Sequence, residues 1–324
     1  MKQEPFVAAH EPLWQRLEAW LDETDPARRD PEVTERFPAL YRQLCQHLAL
    51  ARERLYSHHL VERLDRLVLR AHPELYRRQR RPWQALARYV LADFPRQVRR
   101  RWKLVLLSAM LFYGPLLGML GAIQIDPDMV YTVFDGEQVR MFERMYDPAA
   151  RQPGREPARQ ADSDLLMFGY YVRNNTGIGL RTFASGLLFG IGTLLVLIFN
   201  GLYIGAAAGH LTQMGYGETF WTFVAGHSGL ELNAIVLSGA AGLQLGLAVL
   251  APGRRTRLRA LRDEALDALQ LIYGAAGMFL LAALVEAFWS PRPLPAELRI
   301  GVGATIFILV IAYFLLAGRR RYAA

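Results

Sequence analysis

The polar side chains most able to do chemistry lie within long apolar stretches of the second half of the chain. They are Asn200, His210, His227, Glu231, Asn233, Gln244 and Glu286. A charged group in hydrocarbon costs about 2.5 kcal/mol or more unless it is paired, so such residues either fix helix packing or serve a function. We expect Asn200 and Asn233 to satisfy backbone groups that are freed at helix breaks.

The pair His227 and Glu231 is the strongest candidate among these residues. The two are four positions apart and would share one face of a helix. A carboxylate beside an imidazole suits a switch or a proton relay, and the alternative is a structural pair that fixes the packing of a broken helix. We predict no metal site and no cofactor, because a metal needs three or four convergent ligands and the chain has no HExxH motif.

Two further residues have simpler interpretations. The tetrapeptide GHSG at 226–229 places Ser228 where rhomboid intramembrane proteases carry their nucleophile, but such a protease needs a histidine base on a later span, and no histidine follows His227. We therefore predict that the chain is not an enzyme and has no catalytic residue. Glu286 lies near the end of its predicted span beside Trp289, where we expect interfacial water to solvate it.

Long uncharged stretches predict an all-α, polytopic membrane protein. Residues 104–125 are 22 residues without a formal charge, enough at about 1.5 Å each to cross roughly 30 Å of hydrocarbon. The stretch 182–214 is too long for one crossing, so we predict broken or re-entrant segments near 200–229, at Asn200-Gly201 and at the glycines 226 and 229. The predicted membrane domain, 103–317, then has six spans: 104–125, 181–199, 201–214, 228–250, 268–289 and 300–317.

Basic residues predict the orientation of these spans. Arginines precede the first span, and the loop 252–262 and the tail 318–324 are also basic. By the positive-inside rule both termini are cytoplasmic, and the segment 126–178, with its Pro- and Arg-rich, flexible stretch 151–160, lies outside. The predicted location is a bacterial cytoplasmic (inner) membrane, which the chain crosses several times.

The N-terminal residues 1–102 are predicted to form a basic, cytoplasmic bundle of amphipathic helices. Residues 1–103 contain 21 basic and 14 acidic side chains, so they hold +7 of the chain's net charge of +8. We expect the arginines of this region, including those of 96–103, to form a solvated, lipid-facing or positive-inside surface. No nucleic-acid-binding motif accompanies the charge, so membrane lipids and not nucleic acid are the expected partner.

Small residues recur every four positions within the predicted spans, and such rows let helix backbones approach closely. Close packing within one chain and a homo-oligomer interface are both compatible with them. The rows are Gly114/Gly118, Gly186/Gly190, Gly201/Gly205/Gly209 and Ser238/Gly242/Gly246.

Four runs of sequence carry a resemblance to a known family. The runs RNNTGIGLRTFASGLLFGIG (173–192), NGLYIGAAAGH (200–210) and GHSGLELNAIVLSGAAGLQLG (226–246), with the basic loop and the span after it, resemble the stage II sporulation protein M family over roughly 95–317. The helices of the N-terminal third resemble the longer, non-sporulation branch of that family. The resemblance implies structural importance for a set of residues: Asn174, Asn175, Asn200, Gly201, His227 and Glu231.

The resemblance also implies a function. The family's namesake is a membrane scaffold that anchors peptidoglycan-remodelling enzymes, and members of the longer branch are often encoded beside an AAA+ ATPase. We therefore expect an integral membrane scaffold or assembly factor for an envelope-associated complex, a homo-oligomer with one of these two partners. The alternative is a proton- or ion-coupled transporter or channel that uses the broken helices around 200–231.

Overall fold

The computed structural model describes residues 2–25, 28–76, 82–149, 161–292 and 294–319, so the predicted flexible stretch 151–160 and most of the basic tail lie outside the described residues. The described ranges are α-helical and contain no β-strand. The chain forms two compact units, Met1–Ala85 and Leu86–Ala324. From the sequence, this boundary is predicted near residue 102. The structure sets it earlier because Phe94 packs against Gly274 and so joins the second unit.

The N-terminal unit consists of α1 (Gln3–Asp22), α2 (Pro31–Glu53) and α3 (His58–Tyr76). Asp30 caps α2 by accepting a hydrogen bond from the amide of Glu32, and Pro31 follows it at the first helical position. The apolar stripes of the three helices bury Trp14, Leu17, Leu44 and Leu64 in a core of their own. This unit therefore has the core that an independently folded domain requires.

A buried histidine adds a polar contact to this core. The indole N–H of Trp14 donates to Nδ1 of His47 at 3.1 Å, and the ring of His10 stacks on His47 with 3.9 Å between centroids. Burial, and then the neighbouring His10, lower the pKa of His47 to about 4. The imidazole is therefore neutral at pH 7, as an acceptor for Trp14 must be.

The boundary between the units falls within the short helix α4 (Pro82–Arg88), and the second unit continues with α5 (Phe94–Arg100) and seven more helices. Those seven are α6 (Trp102–Ile125), α7 (Gly136–Tyr146), α8 (Ala161–Ala184), α9 (Ile191–Gln213), α10 (Gly217–Leu250), α11 (Arg257–Leu284) and α12 (Ala296–Leu316). Five of the described helices, α6 and α9–α12 with the turn after α11, are long and apolar enough to cross a membrane. The protein is therefore an all-α, multi-pass membrane protein.

The helix breaks predicted at Asn200-Gly201 and at the glycines 226 and 229 are wrong, and within 200–229 the helices are interrupted only between α9 and α10, after Gln213. Helix α9 continues through Asn200-Gly201, and α10 runs unbroken for 34 residues through Gly226 and Gly229. The Asn200 amide donates to Val196 O of its own helix at 2.7 Å, so it does not satisfy a broken backbone. Glycine does not break a helix whose glycine face packs on a neighbour, and Gly226 packs on Trp289.

The break lies earlier, at 185–190, between α8 and α9. Phe189 and Gly190 both have positive φ, 55° and 80°, and Gly190 precedes the first residue of α9. The hydroxyl of Thr193 donates to the carbonyl of Thr182 at 2.7 Å across this turn. Two helices separated by a tight turn thus replace the predicted spans 181–199 and 201–214.

Helix α8 is a sixth element that runs the length of the bundle, although its charged residues exclude it from the five apolar helices. Its Asn175 contacts Glu286, its Gly179 lies against Ser238, and the turn that follows it packs Gly190 on Gly246. Taken in chain order, these contacts lie progressively closer to the C-terminal end of α10. The sequence analysis counted six spans, and six described helices run between the two ends of the bundle. The extra one is polar and begins near 161.

The glycine rows lie where helix backbones touch. A Cβ atom at Gly201 or Gly205 would overlap a carbonyl oxygen of α6, and one at Gly186 would overlap the backbone of Gly242. Gly209 and Gly246 also lie against neighbouring backbone, of Leu120 and of Gly190 respectively. The row Gly114/Gly118 differs, because a Cβ atom at either position would meet nothing within 4 Å.

Two arginines before α6, Arg99 and Arg101, bond to other helices of the second unit, while the side chain of Arg100 between them is exposed. Arg101 donates to Glu264 at 2.7 Å and to Asp267 at 3.0 Å, and joins the start of α6 to α11. Arg99 donates to Ala317 O at 2.7 Å and caps the end of α12, where a cation also opposes the negative end of the helix dipole. We call this end of the second unit the basic end.

Candidate functional site

Three ionisable side chains meet inside the second unit, at the end opposite the basic end. His227 and Glu231 come from α10, and Glu286 comes from the turn that follows α11. One potential ligand atom from each, an imidazole nitrogen or a carboxylate oxygen, lies within 4.8 Å of the other two. We call these three residues the His-Glu-Glu cluster. Among the described residues it is the group that could hold a metal ion.

Glu286 is buried and is not solvated at an interface, so the sequence-based interpretation of this residue is wrong. Its side chain accepts a hydrogen bond from the Asn175 amide at 3.4 Å, and its other oxygen lies 4.0 Å from His227 Nε2. Two features explain the burial. Helix α8 covers the turn, and Val285–Trp289 is a π-helical turn, which changes the direction of side chains relative to an α-helix.

His227 is held by a hydrogen bond on the side of its ring that faces away from Glu286. Its Nδ1 lies 3.2 Å from Oγ of Ser290, which is fully buried, while Nε2 faces the carboxylate of Glu286. The ring also makes an edge contact with Phe223 at 5.7 Å. The predicted pair of His227 and Glu231 therefore becomes a group of three, in which the imidazole has its closest acidic contact with a residue from another helix.

The two asparagines of α8 support the cluster as a pair. Asn174 Nδ2 donates to Asn175 Oδ1 at 2.9 Å, which directs the Asn175 amide nitrogen toward Glu286. Asn175 is buried. The family resemblance implied that both residues are structurally important, and their hydrogen bonds to each other and to Glu286 explain that importance.

Aromatic residues cover the cluster. Tyr146, at the end of α7, makes edge contacts with Phe220 and Phe223, and its backbone carbonyl accepts from Thr219 at the start of α10. Burial, followed by the nearby carboxylate of Glu286, raises the pKa of Tyr146 well above its ordinary value. The phenol therefore remains neutral over the cluster.

The other predicted polar residues lie apart from the cluster. His210 Nε2 lies 2.9 Å from a carboxylate oxygen of Glu143, which joins α9 to α7. Asn233 donates to Gly229 O of its own helix, and Gln244 donates to Glu264 near the basic end. Ser228 donates to Ala225 O at 3.4 Å, so its hydroxyl bonds to its own helix and not to an imidazole.

Sequence reasoning missed the residues that complete the cluster. Ser290, Tyr146 and the inward position of Glu286 have no signal in periodicity, because each depends on a contact between helices distant in sequence. One signal was available for Glu286, since its predicted span held no other formal charge. An ionisable residue in such a stretch is a functional-site hypothesis by default.

Comparisons with known proteins divide the chain in the same way as the two units. A family model for stage II sporulation protein M matches residues 104–291. A second model, for a domain of unknown function (DUF8413), matches residues 4–77, which cover the three helices of the N-terminal unit. No curated protein and no solved structure matches the chain.

Proposed function

This chain belongs to the stage II sporulation protein M family, and from that premise we propose that it is an integral membrane scaffold or assembly factor for an envelope-associated complex. The proposal places it in a bacterial inner membrane, with both termini in the cytoplasm, and gives it no catalytic activity of its own. The fold supports the proposal more than it supports the transport alternative.

The continuity of α9 and α10 is the observation that carries the proposal. The transport hypothesis depended on discontinuous helices near 200 and 226, since such helices place their free termini around an ion or substrate. Both helices are unbroken there, and their backbone groups are satisfied within the helix. Backbone-to-backbone contacts at Gly201, Gly205 and Gly242 fill the interior instead. A filled bundle with continuous helices suits an anchor.

The N-terminal unit is the proposed docking module for a soluble partner. It has a core of its own and a surface of paired charges, such as Arg63 between Glu11 and Glu18 and Arg52 with Asp65. Helix α5 packs with the second unit, so the module to remove in an experiment ends at Ala85 and not at residue 102. The proposed partner is an AAA+ ATPase or a peptidoglycan-remodelling enzyme.

Copurification from the native membrane tests the proposal. Tagged full-length protein and a variant that lacks residues 1–85 would be produced at matched levels and purified in mild detergent, and the proteins retained would be quantified by mass spectrometry. We expect an AAA+ ATPase or a peptidoglycan-remodelling enzyme at near-stoichiometric amount with the full chain, and its loss with the variant. If neither class is retained by the full chain, the scaffold proposal fails. The mass of the purified particle tests the predicted homo-oligomer.

A further inference from the structure

The His-Glu-Glu cluster combines two carboxylates and one imidazole within a helical bundle, where His227 and Glu286 are buried and Glu231 is partly buried. Two ionised carboxylates side by side in such surroundings repel each other and lose their hydration. A bound divalent cation cancels both charges at once, which leaves a neutral group in the interior. The donor set is thus balanced for an ion of charge +2.

Glu231 is the second observation that points to a ligand. Its side chain extends from α10 toward His227 and Glu286, and among the described residues no side chain or amide donates a hydrogen bond to it. A carboxylate within a helical bundle is ordinarily paired or bonded to donors. Its oxygens are therefore available to a cation.

The hydrogen bonds around the other two residues have the arrangement found around metal ligands. A metal-binding histidine commonly bonds through its second ring nitrogen to an oxygen, which fixes the ring and its tautomer. Ser290 provides that oxygen for Nδ1 of His227, and Nε2 is left facing Glu286. Asn175 donates to one oxygen of Glu286 in the same manner, and the other oxygen lies 4.0 Å from His227 Nε2.

We propose that His227, Glu231 and Glu286 bind one divalent transition-metal ion of the zinc class. Imidazole nitrogen with two carboxylate oxygens is a borderline donor set that suits Zn²⁺ better than Mg²⁺ or Ca²⁺, which prefer oxygen alone. The ion ties α10 to the π-helical turn after α11, beneath Tyr146. From the sequence no metal site is predicted, since a metal needs three or four convergent ligands and the chain has no HExxH motif; the fold brings Glu286 to His227 and Glu231.

The required movement is small. Tetrahedral zinc with bonds of about 2.0–2.2 Å holds its ligand atoms roughly 3.4 Å apart. The three atoms lie within 4.8 Å of one another. Rotations of the two glutamate side chains that move their oxygens by about 1 Å bring the three atoms to that spacing. Three protein ligands leave one coordination position for water or for a fourth ligand.

Zinc binding to the purified full-length protein tests this proposal, which does not depend on the scaffold function. The metal-stripped protein would compete for Zn²⁺ with a chromophoric chelator, and bound zinc would be counted by elemental analysis. The variants are Glu231→Gln, Glu286→Gln and Ser290→Ala. The matched control is Glu143→Gln, which removes a carboxylate that also pairs with a histidine, His210, outside the cluster.

We expect one Zn²⁺ per chain in the unaltered protein and in the control. Each glutamine variant should lose stoichiometric zinc, and Ser290→Ala should weaken affinity by about 10–100-fold, as loss of a supporting hydrogen bond does. Absence of stoichiometric zinc from the unaltered protein, or unchanged affinity in either glutamine variant, overturns the proposal.

A second measurement needs no variant and covers the case in which a variant does not fold. Hydrogen exchange of the unaltered protein would be compared with and without Zn²⁺. We expect zinc to slow exchange in the π-helical turn Val285–Trp289 and in the part of α10 around His227, with no change in the N-terminal unit. Exchange that is the same with and without zinc in these two segments overturns the proposal.

Discussion

We expect Gly205→Leu to prevent the second unit from folding, because even a Cβ atom at this position would overlap the carbonyl oxygen and Cα of Leu116. The obstacle is backbone, which cannot move aside as a flexible side chain can. Overpacking of a core costs about 1–3 kcal/mol for extra methylene groups that neighbours can partly accommodate. A leucine between two helix backbones exceeds that range, since α6 and α9 would have to separate along their whole contact.

Gly118→Leu is the matched control for this prediction. Gly118 belongs to the same pair of helices, but it is exposed, and a Cβ atom there would meet nothing within 4 Å. The measurement is the yield of monodisperse protein in detergent, together with its thermal unfolding midpoint. We expect no monodisperse Gly205→Leu protein and a near-normal yield of the control. Equal yields would show that α6 and α9 do not pack through their glycine face.

The second large effect concerns the basic end. Arg101→Gln should destabilise the second unit by about 1–3 kcal/mol, because Glu264 and Asp267 would lose their shared cation while remaining partly buried. Both carboxylates belong to the first turns of α11, so the join between α6 and α11 weakens. Hydrogen exchange at the start of α11 should rise with the fall in the thermal midpoint.

Arg100→Gln distinguishes this effect from a general loss of positive charge. Arg100 is adjacent and its nearest acidic contact, with Asp267, is 3.6 Å long, while its side chain is 68% exposed. Exposed ion pairs contribute about 0–1 kcal/mol, so its thermal midpoint should stay close to that of the unaltered protein. If the thermal midpoints of both variants fall equally, the contacts of Arg101 do not stabilise the packing of α6 on α11.

The fold class and the family resemblance followed from the sequence and are confirmed. Uncharged stretches of bilayer length identify apolar helices because the hydrocarbon core imposes length and composition together. Helix α8 does not meet this criterion of an uncharged stretch, since Arg173 and Arg181 fall within it. A polar helix can still run through the bundle when its polar groups face protein, as Asn175 does at Glu286.

The helix break and the cluster show why other features could not be predicted. Glycines at 201 and 226 look the same in sequence whether they break a helix or pack it, and only the neighbours Leu116 and Trp289 decide the outcome. The backbone of Phe189 has a positive φ, and turn propensities do not predict a phenylalanine in that left-handed region. Spacing revealed His227 and Glu231, because they share one helix. Glu286 is 55 positions beyond Glu231 in sequence and joins them only through packing.

Ion flux through proteoliposomes is the measurement that tests the central claim, that the bundle is an anchor and not a conduit. Purified protein would be reconstituted and subjected to proton and cation gradients, with empty liposomes and a Glu231→Gln variant alongside. We expect flux equal to that of empty liposomes for both proteins. Saturable flux in the unaltered protein that Glu231→Gln abolishes would contradict it and assign the cluster to transport.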